Sequence, residues 1–215
     1  MANAKVEHRN VSFRQLINND VGSDADTDLA TWRPDRKFFS RSLRLCLFTD
    51  AMTTTKLVPE GWFYLGPAAT NSSNAPGTGV VVRELEPSIL VDVADWIQVW
   101  NDAGSGDSTD FALWRGVGPM PDYVVVGGFF MRSHNKPSLE EARGIKAIHK
   151  LALRNTGPGS QIWTDKGSGA DEDGAIWSIS TLGVVPTGAF VPVRGYDILP
   201  PELYGLHSRH ADLGE

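Results

Sequence analysis

Short segments in which hydrophobic and polar residues alternate make up most of this chain, and glycine, proline, asparagine and aspartate separate them. The segment TGVVVRELEPSILVDVADWIQVW, residues 78–100, contains two such alternations around a Glu-Pro step. Alternation at period two is typical of half-buried β-strands, whereas an amphipathic helix repeats its apolar positions every three to four residues. The pattern therefore predicts an all-β protein.

One polar segment occurs three times along the chain. It reads NNDVGSDADTDLATW at 18–32, WNDAGSGDSTDFALW at 100–114 and WTDKGSGADEDGAIW at 163–177. The three copies share D-x-G-S-x4-D-x-A-x-W without a gap, and Asn18 stands in copy one where the other copies have tryptophan. Similar units of this kind pack against one another, because a single unit cannot bury its apolar face alone.

A turn and a strand are predicted after each copy of the polar segment. The sequences are PEGWFYLG, PDYVVVGG and PTGAFVPV, each a proline turn followed by an aromatic or β-branched run. Three such units predict a single domain, a pseudo-threefold β-prism with three antiparallel sheets. The expected boundaries are repeat one over about 13–80 with an insertion at 33–58, repeat two over about 90–135, repeat three over about 145–195 and a tail at 204–215.

The segments IWTDKGSGADEDGAIW, PEGWFYLG and PDYVVVGG resemble the vacuolar protein sorting-associated protein 62 family and related plant domains of unknown function. The resemblance covers residues 13–195 and is looser in copy one, which lacks the first tryptophan. The alternation also resembles the β-prism domains of multivesicular-body sorting proteins and of perforin-like toxins, which bind membranes or receptors. This resemblance implies a β-prism binding module and names no ligand.

Composition narrows the class of protein. With 215 residues, 41% of them hydrophobic and 21% charged, the chain is long enough to bury one large core. Its net charge of −6 argues against a nucleic-acid partner. Cys46 is the single cysteine, so an internal disulfide and a cysteine-built zinc site are excluded.

The same sequence predicts where the protein resides. The N-terminal residues lack the apolar run of a secretion signal, and no later stretch approaches the roughly 20 apolar residues of a membrane span. We expect a protein that is cytoplasmic, or secreted without an N-terminal signal peptide. Its oligomeric state stays open.

The repeated turns supply the candidate ligand-binding residues. In one interpretation, each first aspartate accepts backbone N–H groups and the turn is only structural. In the other, the turn holds a sugar or a hard cation such as calcium, although its spacing is not that of an EF-hand loop. No other cofactor is expected. The candidates are Asp20, Asp28, Asp102, Gly104, Ser105, Asp110, Asp165, Gly167, Ser168, Asp173, Trp100 and Trp163.

The tryptophans divide into two groups. Trp32, Trp114 and Trp177 end the repeated pattern in all three copies and are predicted to lie in the core. Trp100 and Trp163, which copy one lacks, are predicted to be partly exposed.

Charge separates two candidate surfaces. The three turns carry eleven of the 26 acidic residues and one lysine, so they favour cations or neutral hydroxylated ligands. The insertion is basic and carries two phenylalanines, so it is interpreted either as a surface for anionic membranes or as a solvated strand edge with Leu43, Leu45 and Leu47 turned inward. Its candidate membrane-binding residues are Arg36, Lys37, Arg41 and Arg44.

Catalytic motifs are missing from the sequence: no nucleophile pattern and no phosphate-binding glycine loop occurs. We therefore expect no enzyme. The leading hypothesis is a lectin-like module that binds a glycan or a cell-surface receptor through repeated turns, because repeated weak sites gain avidity. The alternative is a peripheral membrane module that docks through residues 33–48.

Overall fold

A computed structural model describes residues 5–35, 60–197 and 202–213. Its regular structure is strand, apart from one turn of 3-10 helix at Lys150–Ala152, which confirms the all-β class. None of the helices described is long and apolar enough to span a bilayer. The strands are β1 (Val6–Asn19), β2 (Ala30–Pro34), β3 (Phe63–Tyr64), β4 (Ala68–Thr70), β5 (Gly77–Glu84), β6 (Leu90–Asp92), β7 (Asp95–Asn101), β8 (Ala112–Val117), β9 (Tyr123–Val124), β10 (Gly128–Met131), β11 (Lys146–His149), β12 (Leu153–Thr156), β13 (Pro158–Thr164), β14 (Gly174–Ile179), β15 (Val184–Val185), β16 (Phe190–Arg194), β17 (Leu203–His207) and β18 (Ala211–Leu213).

Each repeat builds two sheets with the same strand order. Repeat two forms β10-β8-β7 and β6-β11-β9, and it therefore includes β11, which the expected boundaries placed in repeat three. Repeat three forms β13-β14-β16 and β12-β17-β15. In repeat one the two sheets are continuous, because the long strand β1 runs through both and gives the order β3-β5-β1-β2-β4. The threefold repetition is thus present. The described residues form five sheets where three were expected, and these are antiparallel apart from the pairing of β18 with β1.

Apolar side chains from all three repeats form the core. Trp32 and Trp114 are 8% and 6% exposed, and both belong to the largest buried cluster together with Phe13 and Phe129. These two positions confirm the predicted core role, whereas Trp177 is only half-buried. A separate buried cluster of aromatic residues lies beneath the three polar turns.

The end of the chain differs from the expected tail. Strand β17 is the central strand between β12 and β15, and its Leu203 and Leu206 are buried. Strand β18 pairs in parallel with the start of β1, opposite Val6. The last strands therefore complete repeat three and join it to repeat one. The basic residues Arg36, Lys37, Arg41 and Arg44 of the insertion lie outside the described residues.

Candidate ligand-binding site

The first aspartate of each polar turn holds the turn together. The N–H of Phe111 donates to Oδ1 of Asp102 at 2.9 Å, and the N–H of Asp102 donates to the carbonyl of Phe111 at 3.1 Å. Leu29 with Asp20, and Gly174 with Asp165, repeat the side-chain bond at 2.8 Å. The three aspartates are 3–6% exposed. These contacts are those of the structural interpretation, since they satisfy backbone donors that burial removes from water.

Glycine and serine set the shape of the same turns. Gly104 and Gly167 have φ values of 90° and 93°, a left-handed conformation that suits glycine. The hydroxyls of Ser105 and Ser168 each accept the N–H of the residue two positions later, at 3.2 Å in both copies. In copy one, Asp24 adopts φ 49° at the position of the second glycine, a conformation that aspartate tolerates.

The three turns contact one another at one end of the molecule. The N–H of Asp26 in turn one donates to the carbonyl of Lys166 in turn three at 2.7 Å. The N–H of Asp171 in turn three donates to the carbonyl of Ala103 in turn two, also at 2.7 Å. We call this surface, formed by residues 20–29, 102–111 and 165–174, the loop end.

The residue two positions before each first aspartate ties its repeat to the next one. Trp163 donates its ring N–H to Oδ2 of Asp20 at 2.9 Å, which joins repeat three to repeat one. Trp100 donates to the carbonyl of Glu172 at 2.6 Å, which joins repeat two to repeat three. In copy one the Asn18 amide donates to the carbonyl of Phe130 at 2.7 Å, which closes the ring of repeats.

The predicted partial exposure of Trp100 and Trp163 is therefore wrong. Both side chains are 2% exposed, and their rings pack edge to face with centroids 5.5 Å apart. Their N–H groups are satisfied by the neighbouring repeat, so full burial leaves no unpaired donor. The asparagine in copy one keeps a hydrogen-bond donor at the same place, and this shared property is the signal that the sequence contained.

The second aspartates, by contrast, face the solvent. Asp28, Asp110 and Asp173 are all exposed. In copy two, Asp110 lies near a histidine that the sequence pattern did not include, since Nδ1 of His134 is 4.0 Å from Oδ2 of Asp110. Nε2 of the same ring is 2.5 Å from Oδ1 of Asp102. His134 thus lies between the buried and the exposed carboxylate.

Tyr196 takes the corresponding place in copy three. Burial raises its pKa to about 12, and the nearby carboxylates of Asp165 and Asp173 act in the same direction. Its hydroxyl therefore stays neutral and can donate to these carboxylates. The strand register aligns Tyr196 with His134, and places Ser73 at the equivalent position of copy one. Aligning the strands that follow the turns, rather than the turns alone, would have found both rings.

Acidic groups dominate the loop end. Burial raises the pKa of Asp107, with smaller contributions from the nearby carboxylates of Asp24 and Asp102. Lys166 is exposed among them. The field of this surface therefore favours cationic or neutral ligands over anionic ones. The exposed acidic residues here are Asp24, Asp26, Asp28, Asp110, Asp171, Glu172 and Asp173.

One group of side chains at the loop end has the composition of a metal site. In the part of the chain that the structure describes, Asp102, Asp110 and His134 bring three possible ligand atoms within 4.8 Å of one another. Calcium prefers oxygen ligands, whereas a set containing imidazole suits a transition metal. Oδ1 of Asp102 already accepts the N–H of Phe111, so a metal here would compete with the bonds that hold the turn.

The buried carboxyl groups predict a pH dependence of stability. Burial raises the pKa of Asp165 above its usual 3.8, against the opposing backbone bond from Gly174. The folded state therefore binds the proton of Asp165 more tightly than the unfolded state does. This tighter binding stabilises the fold fully below pH 3.8, and the stabilisation is lost as the pH rises through the folded-state pKa. Wild type should therefore lose more stability between about pH 4 and about pH 7 than Asp165→Asn in urea unfolding.

The exposed Asp122 offers a matched control for this measurement. Asp122→Asn should show the pH dependence of the wild type, since it removes one carboxylate far from the buried turns. Equal pH dependence in wild type and Asp165→Asn would contradict the expected sign.

Strand order and turns together define a class: an all-β module built from three repeats whose polar turns meet at one end. Neither a protein-family model nor a curated protein sequence matches the chain. Among solved structures, it is similar to GNIP1Aa from Chromobacterium piscinae, with a TM-score of 0.79 and 22% identity. The likeness covers 99% of this chain and 39% of that one, so this chain spans well under half of GNIP1Aa. What the two proteins share at this identity is the fold.

Proposed function

We propose that the protein is a non-catalytic recognition module that binds a neutral, hydroxylated ligand at the loop end. The ligand class is a glycan, free or carried by a cell-surface receptor, which makes the module lectin-like. One observation supports this most. In two copies a ring side chain stands at the equivalent position near the exposed carboxylate: His134 is 4.0 Å from Asp110, and Tyr196, near Asp173, takes the same place in the strand register.

Carbohydrate recognition needs this combination of groups. A carboxylate accepts hydrogen bonds from neighbouring sugar hydroxyls, and a ring offers an apolar face to the sugar C–H groups. The first aspartates contribute indirectly, because their bonds to the backbone hold each turn in shape. Copy one has Asp28 but Ser73 in place of the ring, so its site is the weakest of the three.

Two related sites in one rigid body favour targets that are clustered. Each site alone is expected to be weak, since it is open and offers few groups. Simultaneous engagement of two sites raises the apparent affinity through the effective concentration of the second ligand. This is the physical advantage of keeping the turn in several copies.

The shared fold with GNIP1Aa is compatible with a binding module. Membership of the vacuolar protein sorting-associated protein 62 family, which the turn motifs resemble, is part of the proposal. So is the alternative of membrane docking through the basic insertion, which rests on the sequence alone because Arg36, Lys37, Arg41 and Arg44 lie outside the described residues. Sedimentation with anionic liposomes that depends on these four residues would favour the alternative over glycan binding.

A glycan array tests the proposal directly. Wild type should bind a defined set of neutral glycans, and Asp110→Asn and Asp173→Asn should each weaken that signal. The double variant should lose it by a factor of about a hundred, the scale on which avidity is lost. Both carboxylates are exposed, so these variants are expected to fold normally.

Asp122→Asn is the control, because it removes an exposed carboxylate outside the loop end. Asp28→Asn should have a smaller effect than either of the other two substitutions. The proposal fails if wild type binds no glycan, or if the folded double variant binds as well as wild type.

A further inference from the structure

A cleft of about 560 Å³ lies between repeats two and three. Strands β8 and β9 of repeat two form one wall, and residues of β16 and β17 of repeat three form the other. The polar turn of repeat two precedes β8, whereas the cleft begins at Arg115 and continues into the turn that follows this strand. The cleft is therefore separate from the loop end. Its volume falls in the range of about 300–1,000 Å³ that small-molecule sites occupy.

The walls of the cleft are largely apolar and carry a few charged groups. Val125, Val126 and Pro192 contribute apolar surface, next to the rings of Tyr123 and Tyr204. The charged side chains that line the cleft are Arg115, Lys150 and Glu202.

The two cations in the cleft are not neutralised. The ammonium group of Lys150 is 5.5 Å from the centre of the Tyr204 ring, and the Tyr204 hydroxyl donates to Glu202 at 2.8 Å. Over residues 5–35, 60–197 and 202–213, neither Arg115 nor Lys150 forms an ion pair. With one carboxylate against two cations, the cleft is positive in a protein whose net charge is −6.

The pseudo-threefold repeat provides an internal comparison. A second cleft of about 250 Å³ occupies the equivalent place between repeats three and one. Ser178 follows the shared tryptophan there, as Arg115 does in repeat two. The strand register gives the counterparts of the other three cleft residues, Tyr123, Lys150 and Tyr204. The residues that replace Arg115, Tyr123, Lys150 and Tyr204 are Ser178, Val184, Ser208 and Val80.

This comparison shows that the fold does not require the charges and rings of the larger cleft. The same strand arrangement forms around smaller, uncharged residues one repeat further on. Arg115 is exposed, and Lys150 is half-buried with its ammonium group against the Tyr204 ring. Among the described residues neither cation forms an ion pair, so neither stabilises the fold in that way. The four residues therefore call for a functional explanation.

We propose that the cleft between repeats two and three binds an amphiphilic organic anion, a phosphate or carboxylate head group joined to an apolar body. Arg115 and Lys150 hold the head group. The valine side chains and the rings of Tyr123 and Tyr204 contact the apolar body. This site is independent of glycan recognition at the loop end, whose acidic surface repels such a ligand.

Calorimetric titration of the full chain tests the site with defined probes. Octyl phosphate and decanoate, below their micelle concentrations, should bind with a Kd under about 1 mM. Octyl glucoside tests the need for the anion, and inorganic phosphate tests the need for the apolar body. Both should bind at least about tenfold more weakly than octyl phosphate. Octyl glucoside lacks the charge-assisted hydrogen bonds of the head group, and inorganic phosphate lacks the contacts of the apolar body.

Arg115→Ser and Lys150→Ser install the residues found at the equivalent positions of the smaller cleft, so they should fold. Each should weaken binding of octyl phosphate about tenfold or more. Lys136→Ser, which removes an exposed cation that pairs with Asp95, should leave binding unchanged. A melting temperature for each variant checks folding.

Four results would overturn the proposal. They are no binding of either amphiphilic anion by wild type, equal binding of octyl glucoside, equal binding of inorganic phosphate, and unchanged binding by both folded serine variants. A wild type that binds octyl phosphate but no glycan would reject only the loop-end proposal, so the two sites are tested separately.

Discussion

Replacing Trp163 with alanine is expected to lower the free energy of unfolding by about 3–5 kcal/mol, the usual cost of removing a fully buried tryptophan. The ring fills the space beneath the loop end, where it packs against Trp100 and Phe130. Its removal leaves a cavity and also ends the N–H bond to Asp20, which links repeat three to repeat one. Urea unfolding followed by far-UV circular dichroism measures the loss.

Two other substitutions separate the contributions to this effect. Trp163→Phe keeps most of the apolar volume and removes only the N–H donor, so its loss should be smaller than that of the alanine variant. Leu182→Ala truncates a side chain that is 81% exposed and should change stability by less than about 0.5 kcal/mol. If Trp163→Ala were as mild as Leu182→Ala, the burial of this ring would be contradicted.

Replacing the first aspartate of a turn should have the next largest effect. Asp165→Ala leaves the N–H of Gly174 without its acceptor in a buried place, which costs about 1–3 kcal/mol. Asp165→Asn keeps an oxygen at the same position and should lose much less. Asp173→Ala, eight residues later in the same turn but exposed, should change stability little.

Because the turns repeat, these losses accumulate. Removing Asp20, Asp102 and Asp165 together should cost about 3–9 kcal/mol if the three effects add, which is comparable with the whole stability of a typical domain. The turns contact one another, so some departure from additivity is expected. The triple variant therefore reports on folding rather than on ligand binding. Equal stability of Asp165→Ala and Asp165→Asn would refute this account of the turn.

Local patterns are sufficient to predict the strands, the three repeats and the acidic turns. The reason is that these features depend on neighbouring residues. Alternation at period two selects the strand, and D-x-G-S places an acceptor, a left-handed glycine and a hydroxyl within four positions. The turn interpretation of the first aspartates also follows from their spacing, because the carboxylate reaches backbone groups of its own turn.

Contacts between repeats, by contrast, depend on residues that are distant in the sequence. Trp100 and Trp163 are buried because the next repeat accepts their N–H groups, and nothing near them in the sequence shows this. His134 and Tyr196 lie near the turns but come later in the chain, just beyond the ends of β10 and β16. Their roles depend on how the sheets pack, which local alternation does not encode.

The end of the chain and the cleft are two further features that depend on packing rather than on local sequence. Strand β17 has only five residues, and its pairing with β12 and β15 makes it the centre of a sheet. Arg115 and Lys150 are ordinary surface cations by sequence and share one cleft only after repeats two and three have packed. Sequence determines the unit and its turns, while the packing of three units determines which side chains are buried, which remain exposed and which meet across repeats.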